Sequence, residues 1–308
     1  MIQVNKLKKS FDTIHAVKGI SFHIPQGESY GLLGPNGAGK TTTLSIMSTI
    51  IEPDDGEVTI AGYDLKKNSL DCRMNIGVVT QEIALYNELS AYDNLLFWAG
   101  MYKITGKELK RRINETIDLL GLTDRINDKV KTYSGGMKRR INIGTALLHR
   151  PKILFMDEPT VGIDPQSRNL IFEVVEQLHK EGTTIIYTTH YMEEAERLCN
   201  RIGIMDNGEI IAQGTLNELK KLGSMNESVM ISYANLTDES YHTIEKEWKD
   251  TRRFENSIHF YSCNIQSDLS RIILMCNSHG LEIRNINIQK INLESVFLSL
   301  TGKSLRDK

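Results

Sequence analysis

The sequence predicts an α/β fold built on a parallel sheet, and three stretches predict it. The first is Gly34-Pro35-Asn36-Gly37-Ala38-Gly39-Lys40-Thr41, a glycine-rich turn between a short apolar run at 29–33 and a helix start at 42–47. The second is 152–159, where Ile153, Leu154, Phe155 and Met156 deliver Asp157 and Glu158 side by side before Pro159. The third is the β-branched run at 183–189, which ends at His190. Wholly apolar runs of this length suit strands covered on both faces of a parallel sheet. Groups at the C-terminal ends of such strands lie on the edge where open α/β sheets take their ligands.

Composition narrows the class of protein. With 308 residues, 40% hydrophobic and 25% charged, the chain suits roughly two globular domains with a real core. A formal charge of −2, without interleaved basic and aromatic residues, predicts no nucleic-acid partner. Cys72, Cys199, Cys263 and Cys276 are far apart with no CxxC spacing, which reads as reduced thiols and fits the cytosol. Residues 1–10 lack the apolar run of a signal peptide, and no stretch approaches the ~18 apolar residues of a membrane span.

Taken in order, residues 2–30 alternate apolar and polar positions around a Pro25-Gln26-Gly27 turn and read as antiparallel strands. Phe11 has two readings there: an aromatic face that stacks on a nucleotide base, or a core aromatic. The turn at Gly34 to Thr41 is GxxxxGK[ST], a phosphate cradle. Its glycines let backbone N–H groups converge on a phosphate, Lys40 supplies a mobile charge, and the Thr41 hydroxyl can ligate Mg²⁺. The helix that follows adds the positive end of its dipole. Strands at 57–60 and 76–79 come next, the second running out at Gln81, which reads either as reaching a metal or water, or as a solvated loop residue. Residues 85–102 read as an apolar helix, largely core, or with part of its aromatic surface docking a partner.

Ser134-Gly135-Gly136 opens a helix over 137–149 and forms a second possible anion site, with the serine as cap and the glycines admitting backbone. An ordinary capped helix fits those three residues as well. Lys138-Arg139-Arg140 read as exposed charge. At 153–158, one acid can hold Mg²⁺ while the other orients water. In P-loop ATPases the metal-linked acid stands first, which assigns Asp157 to the metal and Glu158 to the base. Asp164-Pro165 starts a further helix to 180. His190 stands on the same catalytic edge as the carboxylates, although a lone histidine is usually structural. Residues 192–199 read as an acidic helix and 202–212 as a hairpin that closes the first domain near residue 222.

With these residues in hand, residues 1 to about 222 resemble the ATP-binding subunit of an ABC transporter. The aromatic loop falls at Phe11, Walker A at 34–41 with Thr42, the Q-loop at Gln81, the signature at 133–137, Walker B at 153–158, the D-loop at Asp164 and the switch histidine at His190. The resemblance implies a P-loop cassette with a RecA-like core sheet, an antiparallel β subdomain and a helical subdomain. It implies ATP and Mg²⁺ as cofactors, with Thr41, Gln81 and Asp157 on the metal and Glu158 and His190 catalytic. It also implies a head-to-tail dimer with a second copy or a paralogue, in which Ser134, Gly135 and Gly136 complete the partner's site. Integral membrane permease subunits would then hold the chain at the cytoplasmic face of the membrane. Tyr133 and Met137 depart from the usual LSGGQ signature. Tyr-Ser-Gly-Gly-Met, Thr160-Val161-Gly162-Ile163-Asp164-Pro165-Gln166-Ser167-Arg168 and the tail at 293–302 are similar to bacterial ABC-2 type drug-export ATPases. Sodium- or lipid-export ATPases are the nearby alternative. A soluble ABC ATPase acting on ribosomes or DNA is disfavoured by the single uninterrupted cassette. Residues 223–308 read as a small α/β accessory domain with strands at 229–233, 258–261 and 281–288.

Overall fold

The computed structural model describes residues 1–222, 227–254, 256–262, 265–289 and 292–301. Cys263 and the last residue of the tail at 293–302 lie outside them. The chain divides into two compact units, Met1–Asn217 and a second that begins at Glu218.

In the first unit, β1 (Ile2–Phe11) and β2 (Ile14–Ile24) form a hairpin that β4 (Asp55–Ile60) and β5 (Tyr63–Asp64) extend into a four-stranded antiparallel sheet. The larger sheet has the order β10-β9-β3-β8-β7-β6, from β3 (Ser29–Leu33), β6 (Ile76–Val79), β7 (Ile153–Asp157), β8 (Thr184–Thr189), β9 (Arg201–Asp206) and β10 (Glu209–Thr215). Its pairs are parallel except β9 with β10. Alternation along β7 and β8 splits the core. Ile153, Phe155 and Ile186 join the antiparallel sheet and α1 (Lys40–Met47) in one cluster. Leu154, Met156, Ile185 and Tyr187 join a second cluster with α3 (Ala91–Met101), α4 (Gly106–Leu119), α5 (Gly135–Leu147) and α6 (Pro165–Lys180). Helices α2 (Ser69–Asn75) and α7 (Met192–Leu198) complete this unit, and α8 (Leu216–Leu222) spans the boundary to the next.

The apolar stretch at 85–102 is helical only from Ala91. Ser90 stops the helix from starting earlier, forming a reciprocal capping box with Asp93. Tyr86, Leu89 and Phe97 are exposed rather than core.

The second unit is an antiparallel sheet in the order β12-β13-β11-β14, formed by β11 (Glu227–Tyr233), β12 (Thr251–Phe254), β13 (Ser257–Ser262) and β14 (Ile283–Gln289). Helices α9 (Asp238–Glu247), α10 (Ile265–Ser278) and α11 (Leu293–Thr301) accompany it. Val229, Ile231, Ile258, Phe260, Ile272 and Cys276 form its core. Strand β12, Thr-Arg-Arg-Phe, was not legible because an edge strand needs no apolar alternation.

Candidate active site

Two glycines of the turn at 34–39 lie where neighbouring backbone leaves no room for a side chain. A methyl on Gly34 would approach the Met205 carbonyl oxygen to 2.2 Å, and one on Gly39 the Ala16 carbonyl to 2.4 Å. Gly39 also holds φ +101, a region glycine alone enters freely. Helix α1 starts immediately afterwards, with no side chain capping its first amides, so its positive end remains available beside the turn. A cavity of about 530 Å³ opens there, lined by Ile14, His15, Ala16, Lys18, residues 36–42 and Asn207.

Lys40 Nζ folds back to donate to the Gly34 carbonyl at 2.7 Å and the Pro35 carbonyl at 3.1 Å. It also pairs with Glu158 Oε1 at 3.0 Å, both groups being buried. The other oxygen of Glu158 meets His190 Nδ1 at 3.1 Å. Burying two opposite charges together avoids the large cost of burying either alone. Glu158 holds φ +42, sparsely populated for a non-glycine residue. Its amide is held there by the Thr188 carbonyl and the Thr188 hydroxyl, at 3.2 and 3.0 Å. Backbone strain fixed by neighbouring structure is common at functional sites. Asp157 Oδ1 accepts from Thr41 Oγ1 at 3.2 Å and from Thr188 Oγ1 at 2.6 Å. Lys40, Thr41, Asp157, Glu158 and His190 therefore form one cluster at the C-terminal ends of β3, β7 and β8.

Phe11 is exposed at the end of β1, paired across the hairpin with Ile14 and with Lys9 Nζ 5.5 Å from its ring centre. That removes the core reading. The cavity itself is walled by Ile14 and His15 instead, and Ser10 Oγ hydrogen-bonds His15 Nδ1 at 2.8 Å. Gln81 lies exposed in the loop beyond β6, which stops at Val79. Arg139 fixes that loop by donating to the Thr80 carbonyl at 2.6 Å and to the Gln81 carbonyl. Arg139 and Arg140 are thus buried, not exposed as the sequence suggested. Each finds main-chain acceptors, Arg140 at the Leu120 carbonyl, and burial lowers both pKa values. A run of charges does not reveal which members find carbonyls inside.

Ser134 caps α5 by accepting from the Met137 amide at 3.2 Å. Ser134 and Gly135 are exposed, Gly136 is buried, and none of the three lines the cavity. Tyr133 anchors this turn through its hydroxyl, 2.5 Å from the Arg125 carbonyl. Asp164 caps α6 by accepting from the Ser167 amide at 2.9 Å, and that bond holds its carboxyl below the usual range. Pro165 sits at the first helical position, where no N–H is needed. Cys72, Cys199 and Cys276 are free thiols. Sequence reasoning missed Thr188, which orders both carboxylates, and His15. The only signal for Thr188 was its place two residues before His190.

A parallel sheet with a glycine-rich cradle, a lysine, and a carboxylate pair at adjacent strand ends defines a P-loop nucleoside triphosphatase. The domain family described as ABC transporter matches residues 17–161. Over its whole length the chain is 45% identical to the whole of the linearmycin resistance ATP-binding protein LnrL of Bacillus subtilis strain 168. It is also 34% identical to the daunorubicin/doxorubicin resistance ATP-binding protein DrrA of Streptomyces peucetius, covering 100% of this chain and 94% of that protein. Among solved structures, the ATP-binding subunit of an ABC transporter superposes with a TM-score of 0.65 at 29% identity, over 72% of this chain and 92% of the other. The dimeric bacterial cassette MJ0796 gives 0.64 at 28%, over 70% and 98%. A post-hydrolysis dimer of that cassette carries ADP and Pi, with the same score and coverage.

The chain belongs to the ATP-binding subunits of ABC transporters, in the subfamily of the linearmycin and daunorubicin resistance proteins. It binds and hydrolyses ATP to energise export. Among the described residues, no helix is long and apolar enough to cross a membrane.

Proposed function

We propose that the working unit is a head-to-tail pair with a second copy or a paralogous subunit, each ATP lying between residues 34–42 of one chain and Ser134, Gly135 and Gly136 of the other. The observation that carries this is the separation of the two anion-binding ends: the cavity takes nothing from residues 134–136, whose Ser134 and Gly135 are exposed. In this reading Lys40 and the loop amides hold phosphates, Phe11 flanks the base, Glu158 polarises the attacking water, and His190 steadies the γ-phosphate while Asp164 faces the partner. Thr41, Gln81 and Asp157 offer a hydroxyl, an amide oxygen and a carboxylate, a donor set that suits Mg²⁺, which would neutralise phosphate charge there. Separate membrane permease subunits carry the substrate and hold this chain at the cytoplasmic face. The relatives named for linearmycin and daunorubicin resistance support a drug or another hydrophobic or amphiphilic compound as cargo. The cassette spans residues 1–222 and the remainder serves as an accessory domain.

The test is Glu158→Gln in the full chain with ATP. The expected outcome is retained nucleotide binding, turnover reduced on the order of 10²–10⁴-fold, and a stable dimer by light scattering. Wild-type turnover would remove Glu158 as base, and a monomer under saturating ATP would overturn the paired-site reading.

A further inference from the structure

One buried carboxylate outside the phosphate cavity collects hydroxyls from three positions. Glu194, in the first turn of α7, is 2% exposed. Its Oε1 accepts from Thr160 Oγ1 at 2.6 Å, and its Oε2 from Thr189 Oγ1 at 2.8 Å and the Tyr187 hydroxyl at 3.1 Å. Arg168 Nε lies 3.9 Å from Oε1. A hydroxyl has a single proton, so each of these three is committed to the carboxylate and its lone pairs face elsewhere.

Thr189 uses that remaining capacity on the backbone beyond His190, accepting from the Tyr191 amide at 2.9 Å. The hydroxyl therefore spans His190, and Glu194 fixes the hydroxyl. On the opposite side, Thr160 leads into the turn at 160–163, where the Ile163 amide donates to the Thr160 carbonyl at 3.1 Å. Asp164 and α6 follow directly. There a methyl on Gly136 would come within 2.1 Å of Ser167 Oγ and 3.5 Å of Asp164 Oδ2, so α5 starts in direct contact with the start of α6. Hydrogen bonds run from Thr160 through Glu194 to Thr189 and so to the backbone beside His190, and the 160–168 segment that Thr160 opens packs at Ser167 against Gly136. An apolar side chain would fill the position of Glu194 without burying a charge. A carboxylate there holds three hydroxyls in defined orientations, which an apolar group cannot do.

We infer that Glu194 is a positioning residue that ties the setting of His190 to the 160–168 segment, so that displacement of the signature end reaches the catalytic end of the same chain. The inference rests on the head-to-tail reading, in which those two ends meet different ATP molecules. Glu194 then couples the two sites.

The experiment uses the full chain carrying Glu194→Gln or Thr160→Val. It measures nucleotide affinity, kcat, KM and the Hill coefficient for ATP hydrolysis. Glu194→Gln keeps nucleotide affinity within about twofold, lowers kcat by roughly tenfold and brings a wild-type Hill coefficient above 1 down to 1, in the range expected when one link of a coupling network is cut. Thr160→Val moves both quantities the same way by less, leaves the carboxylate its other donors, and carries the test alone if Glu194→Gln does not fold. Unaltered cooperativity in a folded variant that still dimerises overturns the coupling role. So does a loss of kcat matched by an equal loss of nucleotide affinity, the mark of general destabilisation. Absence of the ATP-driven Glu158→Gln dimer refutes instead the paired-site reading on which the inference stands.

Discussion

Helix α1 begins after Gly39 and α5 begins with Gly135 and Gly136, yet their N-termini sit in opposite surroundings. At α1, Lys40 is buried and bonded to two carbonyls and to Glu158, while Thr41 meets Asp157. At α5, Ser134 and Gly135 stand in solvent and the serine is occupied only with capping its own helix. The first end carries a buried lysine paired with carboxylates, whereas the second offers an exposed hydroxyl and helix amides, with Asp164 beside Gly136. A polyanion needs the first to bind at all, whereas the second can add to a phosphate already held. The difference explains how one sequence contains two glycine-rich helix starts of which only that of α1 lines the cavity of about 530 Å³.

The largest effect expected from breaking this asymmetry is at Lys40. Lys40→Ala removes the charged donor and leaves Glu158 paired with His190 alone. Nucleotide affinity should fall on the order of a hundredfold, the upper range for a charge-assisted hydrogen bond, as read by fluorescent-nucleotide titration. Unchanged affinity would mean that the phosphates lie elsewhere.

Gly136→Ala acts on the opposite end. The added methyl would meet Ser167 at 2.1 Å from Oγ and 2.2 Å from Cβ. A turn about χ1 moves Oγ but leaves Cβ in place, so α5 and α6 must shift. The expected cost is about 1–3 kcal/mol of stability, with nucleotide affinity retained and ATP hydrolysis reduced by roughly tenfold or more. Equal losses of affinity and turnover would show that the two ends are not separate.

These two positions also mark how far the sequence could be read. The cradle and the carboxylate pair are contiguous in the chain, so spacing alone announced both. The His190 strand was legible for the same reason. Glu194 was not. Its partners stand at 160, 168, 187 and 189, and an acidic helix with Glu193, Glu194 and Glu196 gives no local sign of which carboxylate turns inward. Arg139 and Arg140 hid in a basic run in the same way. Phe11 carried two readings because exposure depends on how the hairpin ends, which apolar alternation does not encode.

The smallest effect separates two roles of a single hydroxyl. Ser134 caps α5, so Ser134→Ala should cost about 1 kcal/mol and lower the Tm of the cassette by about 2–4 °C. That shift follows whether or not the hydroxyl ever meets a phosphate. Ser134→Asp distinguishes the two, because aspartate caps a helix as well as serine does and its negative charge is favoured by the helix dipole. The variant should therefore keep the wild-type Tm. A carboxylate at that exposed position would, however, repel the phosphates of an ATP held by a neighbouring chain, so hydrolysis should fall further than in Ser134→Ala. Wild-type hydrolysis by Ser134→Asp would leave Ser134 a helix cap and nothing more.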